Sequence, residues 1–312
     1  MSRRALLLLA AAAALAGLAV LTLLVLGARR RATLLEGLEY LEALAYREPG
    51  GRPLLLDVCR PEGVEAGAGL PGVLYLHGGG WRSGSRSRSL PEVTALARRG
   101  FVVFNADYRL SGEAPFPAAI QDVRCALAWA RRHAAAYGAD PARLGLFGTS
   151  AGGHLALLAA LAPAGAPFDA AGGACGPFEP PAAVVSWYGP TDFLDEAYED
   201  AGRRDGPVAA WLGATRSEDP ELYRLASPVA HVDAEDPPVL LIHGEADALV
   251  PLGQARVLAE VLERTGVPVE LLRVANAGHG FQPADPSRPI EPGWEAILER
   301  TASWLREPPA RR

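Results

Sequence analysis

The sequence predicts an α/β fold. The expected core is a mostly parallel, doubly wound sheet with an opening antiparallel hairpin and a small cap, preceded by an N-terminal hydrophobic helix. Three observations lead there. Apolar strand-like runs alternate with helical patterns between residues 72 and 305, the rhythm of a parallel sheet with helices on both faces. Those strand runs are predominantly apolar, without period-two alternation, as suits strands covered on both sides. Finally, 312 residues, 49% hydrophobic and 21% charged, can bury a sizeable core and are too apolar for a disordered chain.

The first element is Ala5–Gly27, an uncharged run whose single polar side chain is Thr22, flanked by Arg3 and Arg4 before and Arg29–Arg31 after. As a helix it would span roughly 34 Å, enough for a hydrocarbon core of about 30 Å. It is longer than the apolar region of a secretory signal, and the A-x-A triplet Ala14–Ala16 lies inside the run. An uncleaved single-pass membrane anchor is expected, with a cleaved signal and a secreted protein as the alternative. The flanking arginines nearly balance, so orientation is weakly specified; the short N-terminal tail favours an extracytoplasmic domain. Residues 1–31 are thus read as anchor or signal and 32–312 as the globular domain.

Within that domain, Leu34–Glu42 reads as a connecting stalk. Glu42–Glu48 and Pro53–Cys59 read as a hairpin about Pro49-Gly50-Gly51. Strands follow at Gly72–His77, Phe101–Ala106, Arg143–Phe147, Ala182–Tyr188, Pro238–His243 and Pro268–Val274. Helices are expected near Ser87–Arg99, Pro117–Tyr137, Ser150–Leu161, Leu252–Thr265 and Gly293–Leu305. Two stretches break the alternation. Pro163–Pro181 has a loop composition, and 193–227 carries helical patches expected to form the cap.

A formal net charge of −6 without a clustered basic face argues against a nucleic-acid partner. All 30 basic residues are arginine, which we read as compositional bias, so arginine counts carry little functional information. Cys59, Cys125 and Cys175 have no metal-ligand spacing, and neither a zinc site nor a disulfide scaffold is expected from them.

In an open α/β sheet, ligands bind beyond the carboxyl ends of the strands, so reactive residues there carry the most weight. Gly148-Thr149-Ser150-Ala151-Gly152 follows one strand and opens a helix, a G-x-S-x-G turn that would present the Ser150 hydroxyl at the sheet edge. Alone this pattern is a modest signal in a glycine-rich chain. His77-Gly78-Gly79-Gly80-Trp81, after another strand, is far more selective. Its bare glycines let backbone N–H groups converge on a negative oxygen. Asp247 and His279 each follow a late strand, so serine, acid and histidine occur in the chain order of a hydrolytic triad on such a sheet. The expected catalytic residues are therefore Ser150, Asp247 and His279. The expected oxyanion donors are the N–H groups of Gly79, Gly80 and Ala151. Asp192 is the strongest rival acid and Glu245 a weaker one. His154, on the helix after Ser150, reads as a packing or hydrogen-bonding residue, His77 as a structural one, and His133 and His231 as solvated. Trp81, Trp187 and Tyr188 either line an aromatic pocket or belong to the core.

These motifs together make the chain resemble the α/β-hydrolases of the hormone-sensitive-lipase-like group, most closely the feruloyl- and acetylxylan-esterase-like bacterial carboxylesterases. The resemblance spans about residues 40–306 and rests on HGGGW (77–81), DYRL (107–110), FPAAIQD (116–122), GTSAGG (148–153), YGPTD (188–192), HGEADALVP (243–251) and GHGF (278–281). It implies a serine carboxylesterase acting on a small-molecule ester of small or medium acyl length, with no metal and no organic cofactor. It also implies bracing roles for Asp107, Arg109 and Asp122. An amidase of the kynurenine-formamidase type, which shares both turns, is the alternative; an inactive binding module is disfavoured by the presence of all three triad residues.

Overall fold

In the computed structural model, which describes residues 22, 25–169 and 175–310, the chain enters through a helix over 25–35 (α1) and then turns into a hairpin. Strands β1 (Leu38–Arg47) and β2 (Leu54–Pro61) pair antiparallel. The stretch read as a stalk is therefore structured: it ends α1 and begins β1. Its strand character comes from pairing, since Leu38 and Tyr40 sit opposite Pro61 and Cys59 and pack on the core. A bulge between Leu41 and Leu44 puts Ala43 at φ 60°, and the Asp57 carboxylate accepts its N–H at 2.8 Å.

Strands β3 (Leu70–Leu76), β4 (Val102–Ala106), β5 (Ala139–Thr149), β6 (Val184–Trp187), β7 (Val239–Gly244) and β8 (Val269–Val274) complete an eight-stranded sheet in the order β1-β2-β4-β3-β5-β6-β7-β8. Strand β2 runs antiparallel to both neighbours, and β3 to β8 are mutually parallel. The missing alternation in the sequence is explained by two buried faces. Leu74 and Leu76, Phe104, and Leu241 point into one core with α3 (Ala118–His133), α4 (Ala151–Leu161) and α8 (Leu252–Thr265). Val73 and Tyr75, Val103, Leu240 and Ile242 point the other way, against α2 (Leu90–Ala97) and α9 (Trp294–Arg306). Neighbouring residues of one strand thus serve opposite cores.

The 193–227 segment, read as the cap, folds into short helices α5 (Glu199–Gly202), α6 (Pro207–Leu212) and α7 (Pro220–Leu225). The described part of the Pro163–Pro181 loop is tied to α3 by a Cys125–Cys175 disulfide. This corrects the expectation drawn from cysteine spacing: the partners are 50 residues apart, and only tertiary packing brings their Cα atoms to 5.0 Å. Cys59 stays free and buried. Among the described residues no helix is long and apolar enough to cross a membrane. The Ala5–Gly27 run, on which the anchor expectation rests, lies almost wholly outside them.

Candidate active site

Ser150 sits between β5 and α4 at φ 53° and ψ −121°, a backbone conformation non-glycine residues rarely adopt. Close packing around the turn holds it there. A Cβ on Gly148 would strike the Gly152 carbonyl, and one on Gly152 would strike the Leu76 carbonyl at the end of β3. The two glycines of G-x-S-x-G are therefore where the chain passes against itself and against the sheet. The Ser150 N–H donates to Trp187 O at 2.9 Å, anchoring the turn to β6.

Asp247 follows β7 and His279 follows β8 in a short turn, His279–Phe281. His279 Nδ1 lies 2.8 Å from Asp247 Oδ2, and its Nε2 lies 2.9 Å from Ser150 Oγ. The other Asp247 oxygen accepts the N–H groups of Leu249 and Val250, both at 2.9 Å. Burial pushes the Asp247 carboxyl upward, but hydrogen bonds from His243 and His279, attraction to His279 and the Val250 N–H outweigh it. The net effect holds it well below the usual carboxylate range. Asp247 is thus an acceptor only, so His279 Nδ1 carries the proton and Nε2 is free to accept from the serine hydroxyl. The edge of the Tyr188 ring, 4.8 Å between centroids, fixes the other side of the imidazole.

The glycine turn faces the same serine. Gly79 and Gly80 have φ 127° and 59°, and a Cβ on Gly79 would collide with the Ser83 carbonyl. Among the described residues, neither their N–H groups nor their side of the turn finds a protein acceptor, while Gly79 O accepts from Arg82 and Ser83. Gly79, Gly80, Ser150, Ala151 and His279 all line one cavity of about 450 Å³, within the range of small-molecule sites. Its outer wall comes from Tyr198 and Pro207 of the cap and Leu249 of the acid's loop.

The rival residues are engaged elsewhere. Asp192 accepts the N–H of Leu194 within its own loop. Glu245 faces Arg273 at 3.7 Å on the surface. His154 is fully buried, accepting from Trp81 and facing Ala226 O, and burial pushes it down to about 3. His77 stacks on Tyr108 and donates to Gly78 O. His133 and His231, expected to be solvated, are half-buried, and one ring nitrogen of each bonds a backbone carbonyl at 2.8 Å, that of Trp129 and of Leu225. Trp81 and Tyr188 line the cavity, whereas Trp187 is fully buried and donates to Thr301 Oγ1. Trp187 and Tyr188 share one core and both meet Phe281, but Tyr188 lies just past β6 at φ 42° and its ring also reaches the cavity.

Bracing residues lie beneath. Arg109 forks onto Asp122 at 2.7 and 2.8 Å, with Arg47 also on that carboxylate. Asp107 takes the Arg86 guanidinium and, at 2.7 Å, the Arg86 N–H, while Arg86 Nε reaches Asp57 at 2.9 Å. Sequence reasoning missed Arg86, Asp57 and Trp211, whose partners are distant in the chain. It also passed over His243, although the i, i+4 spacing of His243 and Asp247 at the end of one strand was a usable signal. Among the described residues no group of carboxylates, histidines and cysteines is placed to hold a metal ion.

Residues 56–262 match the BD-FAE family. Esterase LipQ of Mycobacterium tuberculosis is 33% identical over 241 residues, covering 75% of this chain and 55% of its own length. Esterase LipC of the same organism is 35% identical over 237 residues, covering 75% and 58%. The chain therefore spans little more than half the length of these curated relatives. Among solved structures, a truncated carbohydrate esterase from gut microbiota superposes with a TM-score of 0.73 at 25% identity, over 86% of this chain and 95% of its own. Butyrate-bound esterase Est2 of the planctomycete Thermogutta terrifontis gives 0.71 at 25% identity, over 86% and 96%. The same esterase phosphorylated by paraoxon gives 0.67 at 26%, over 86% and 93%.

Proposed function

This chain belongs to the BD-FAE family of α/β-hydrolases, and from that premise we propose that it is a serine carboxylesterase acting on esters of small or medium acyl groups. The observation that carries the reading is the continuous relay from Asp247 through His279 to Ser150 on the floor of a cavity. Ser150 Oγ attacks the ester carbonyl carbon as its proton passes to His279 Nε2. The carbonyl oxygen, now an anion, is received by the N–H groups of Gly79, Gly80 and Ala151. Collapse breaks the ester C–O bond and His279 protonates the departing alkoxide. Water, deprotonated by His279, then attacks the acyl-serine and releases the acid and Ser150. Asp247 holds the imidazole tautomer and stabilises the imidazolium throughout. Every proton and electron pair in this cycle is carried by the ester, water and the chain's own residues.

A cavity of about 450 Å³, open at the Leu249 side, supports short and medium acyl chains. Butyrate bound to the Thermogutta terrifontis relative supports the same size range. We also propose that Ala5–Gly27 anchors the enzyme in a membrane with the catalytic domain on the extracytoplasmic side, supported by the length of the run and its arginine flanks. The test of the chemistry is turnover of nitrophenyl acetate, butyrate and decanoate against an acyl anilide and an N-formyl amine. Acetate and butyrate esters should be the best substrates. Faster cleavage of the N-formyl amine would move the protein to the amidases.

A further inference from the structure

We propose that His154 and Trp81 are positioning residues for the oxyanion hole, and that through Trp211 they make its geometry depend on the seated cap; the inference rests on the esterase reading above. Trp81 directly follows Gly80, and its own backbone is at φ 56°, left-handed and unusual for so large a residue. Something must hold it there, because relaxation of Trp81 would swing the Gly79 and Gly80 N–H groups. The indole supplies the hold. Its Nε1–H donates to His154 Nδ1 at 3.3 Å. Indole nitrogen is a donor only, so His154 Nδ1 must accept. The proton then sits on Nε2, which donates to Ala226 O at 2.8 Å. His154 is thereby a neutral bridge with one tautomer, fully buried on α4 one turn after Ser150. The same helix that presents the nucleophile therefore also clamps the residue beside the oxyanion donors.

The cap closes the arrangement. Trp211 of α6 stacks on Trp81 at 4.9 Å and 14°, and Phe193 presents its edge to Trp81 at 5.7 Å. Pro207, at the start of α6, leaves only 3.4 Å between its Cβ and the place a Cβ would occupy on Gly80. Ala226, the acceptor for His154, lies just after α7. The cap thus lies beside the glycine turn at Pro207 and reaches it through the indole and the imidazole.

The test uses an alkyl trifluoromethyl ketone, to whose carbonyl carbon Ser150 Oγ adds while its proton passes to His279, leaving the oxygen as the anion the hole must hold. The parent methyl ketone, which fills the cavity without adding, is the control. Trp81→Phe keeps a ring but loses the N–H. It should weaken the trifluoromethyl ketone and lower kcat by roughly tenfold, short of the 10²–10³ for deleting a donor outright, with methyl ketone affinity and KM within twofold. His154→Leu should do the same, although His154 lies outside the cavity wall, and His154→Gln, which can accept and donate, should recover most of the loss. Trifluoromethyl ketone affinity unchanged in Trp81→Phe, or equal losses for both ketones, would overturn the proposal. If Trp81→Phe does not fold, the His154 pair decides: equal trifluoromethyl ketone affinity for Leu and Gln overturns it. A trifluoromethyl ketone that binds wild type and Ser150→Ala equally would instead overturn the esterase reading itself.

Discussion

Asp247 is buried yet charged because both of its oxygens are occupied, one by two backbone N–H groups and the other by His279. Replacing it by Asn puts an amide against His279 Nδ1 and favours the wrong tautomer, so kcat should fall by about 10⁴. Asp192→Asn, which loses only a contact within its own loop, should cost less than tenfold; steady-state kinetics on one nitrophenyl ester compares them. The depressed pKa of Asp247 also has a stability consequence. A carboxyl with a folded-state pKa below its unfolded value of about 3.9 stabilises the fold fully above that value, and the contribution is lost as pH falls towards the folded one. The stability advantage of wild type over Asp247→Asn, from urea unfolding between pH 6 and pH 3, should therefore shrink as pH falls. Ser150, Asp247 and His279, which the structure brings within hydrogen-bond distance, were legible because each comes soon after a strand and carries an uncommon chemistry. Arg86, Asp57 and Trp211 were not, because their side-chain partners lie 14 or more residues away and nothing local marks them.

At the scale of elements, the turn between β5 and α4 carries the tightest steric demand. Gly152→Ala would push α4 off the end of β3, where the Leu76 and His77 carbonyls already fill the space. The expected cost is about 1–3 kcal/mol or more, read as a lowered urea midpoint, with activity lost beyond what unfolding explains. The Cys125–Cys175 bridge holds the loop after α4 to α3, and Cys125→Ala should cost about 2–4 kcal/mol. Unfolding of wild type with reductant should then match the variant without it. The eight strands were legible from apolar runs bounded by turns, and the helix starts and ends were close. The bridge and the first residues of β1, Leu38–Leu41, were not, since one depends on packing across 50 residues and the other on a partner strand.

At the scale of the whole molecule, the sheet, the triad and the cap make one body. The described residues that line the cavity all follow His77, and the Ala5–Gly27 run carries the proposal about where the enzyme acts. Arg98 of the domain already holds the end of α1 through the Thr33 and Leu34 carbonyls, at 3.1 and 3.0 Å. A chain beginning near Gly27 should therefore fold and turn over esters, while the full-length chain should stay with membranes after carbonate extraction; release by carbonate would refute the anchor. The central claim is that Ser150 is the nucleophile of an esterase, and reaction with a fluorophosphonate followed by peptide mass spectrometry tests it most directly. The expected result is one phosphonyl group on the peptide containing Ser150, complete loss of ester hydrolysis, and no labelling of Ser150→Ala. A stoichiometric adduct on any other residue, or hydrolysis persisting in Ser150→Ala, would contradict it.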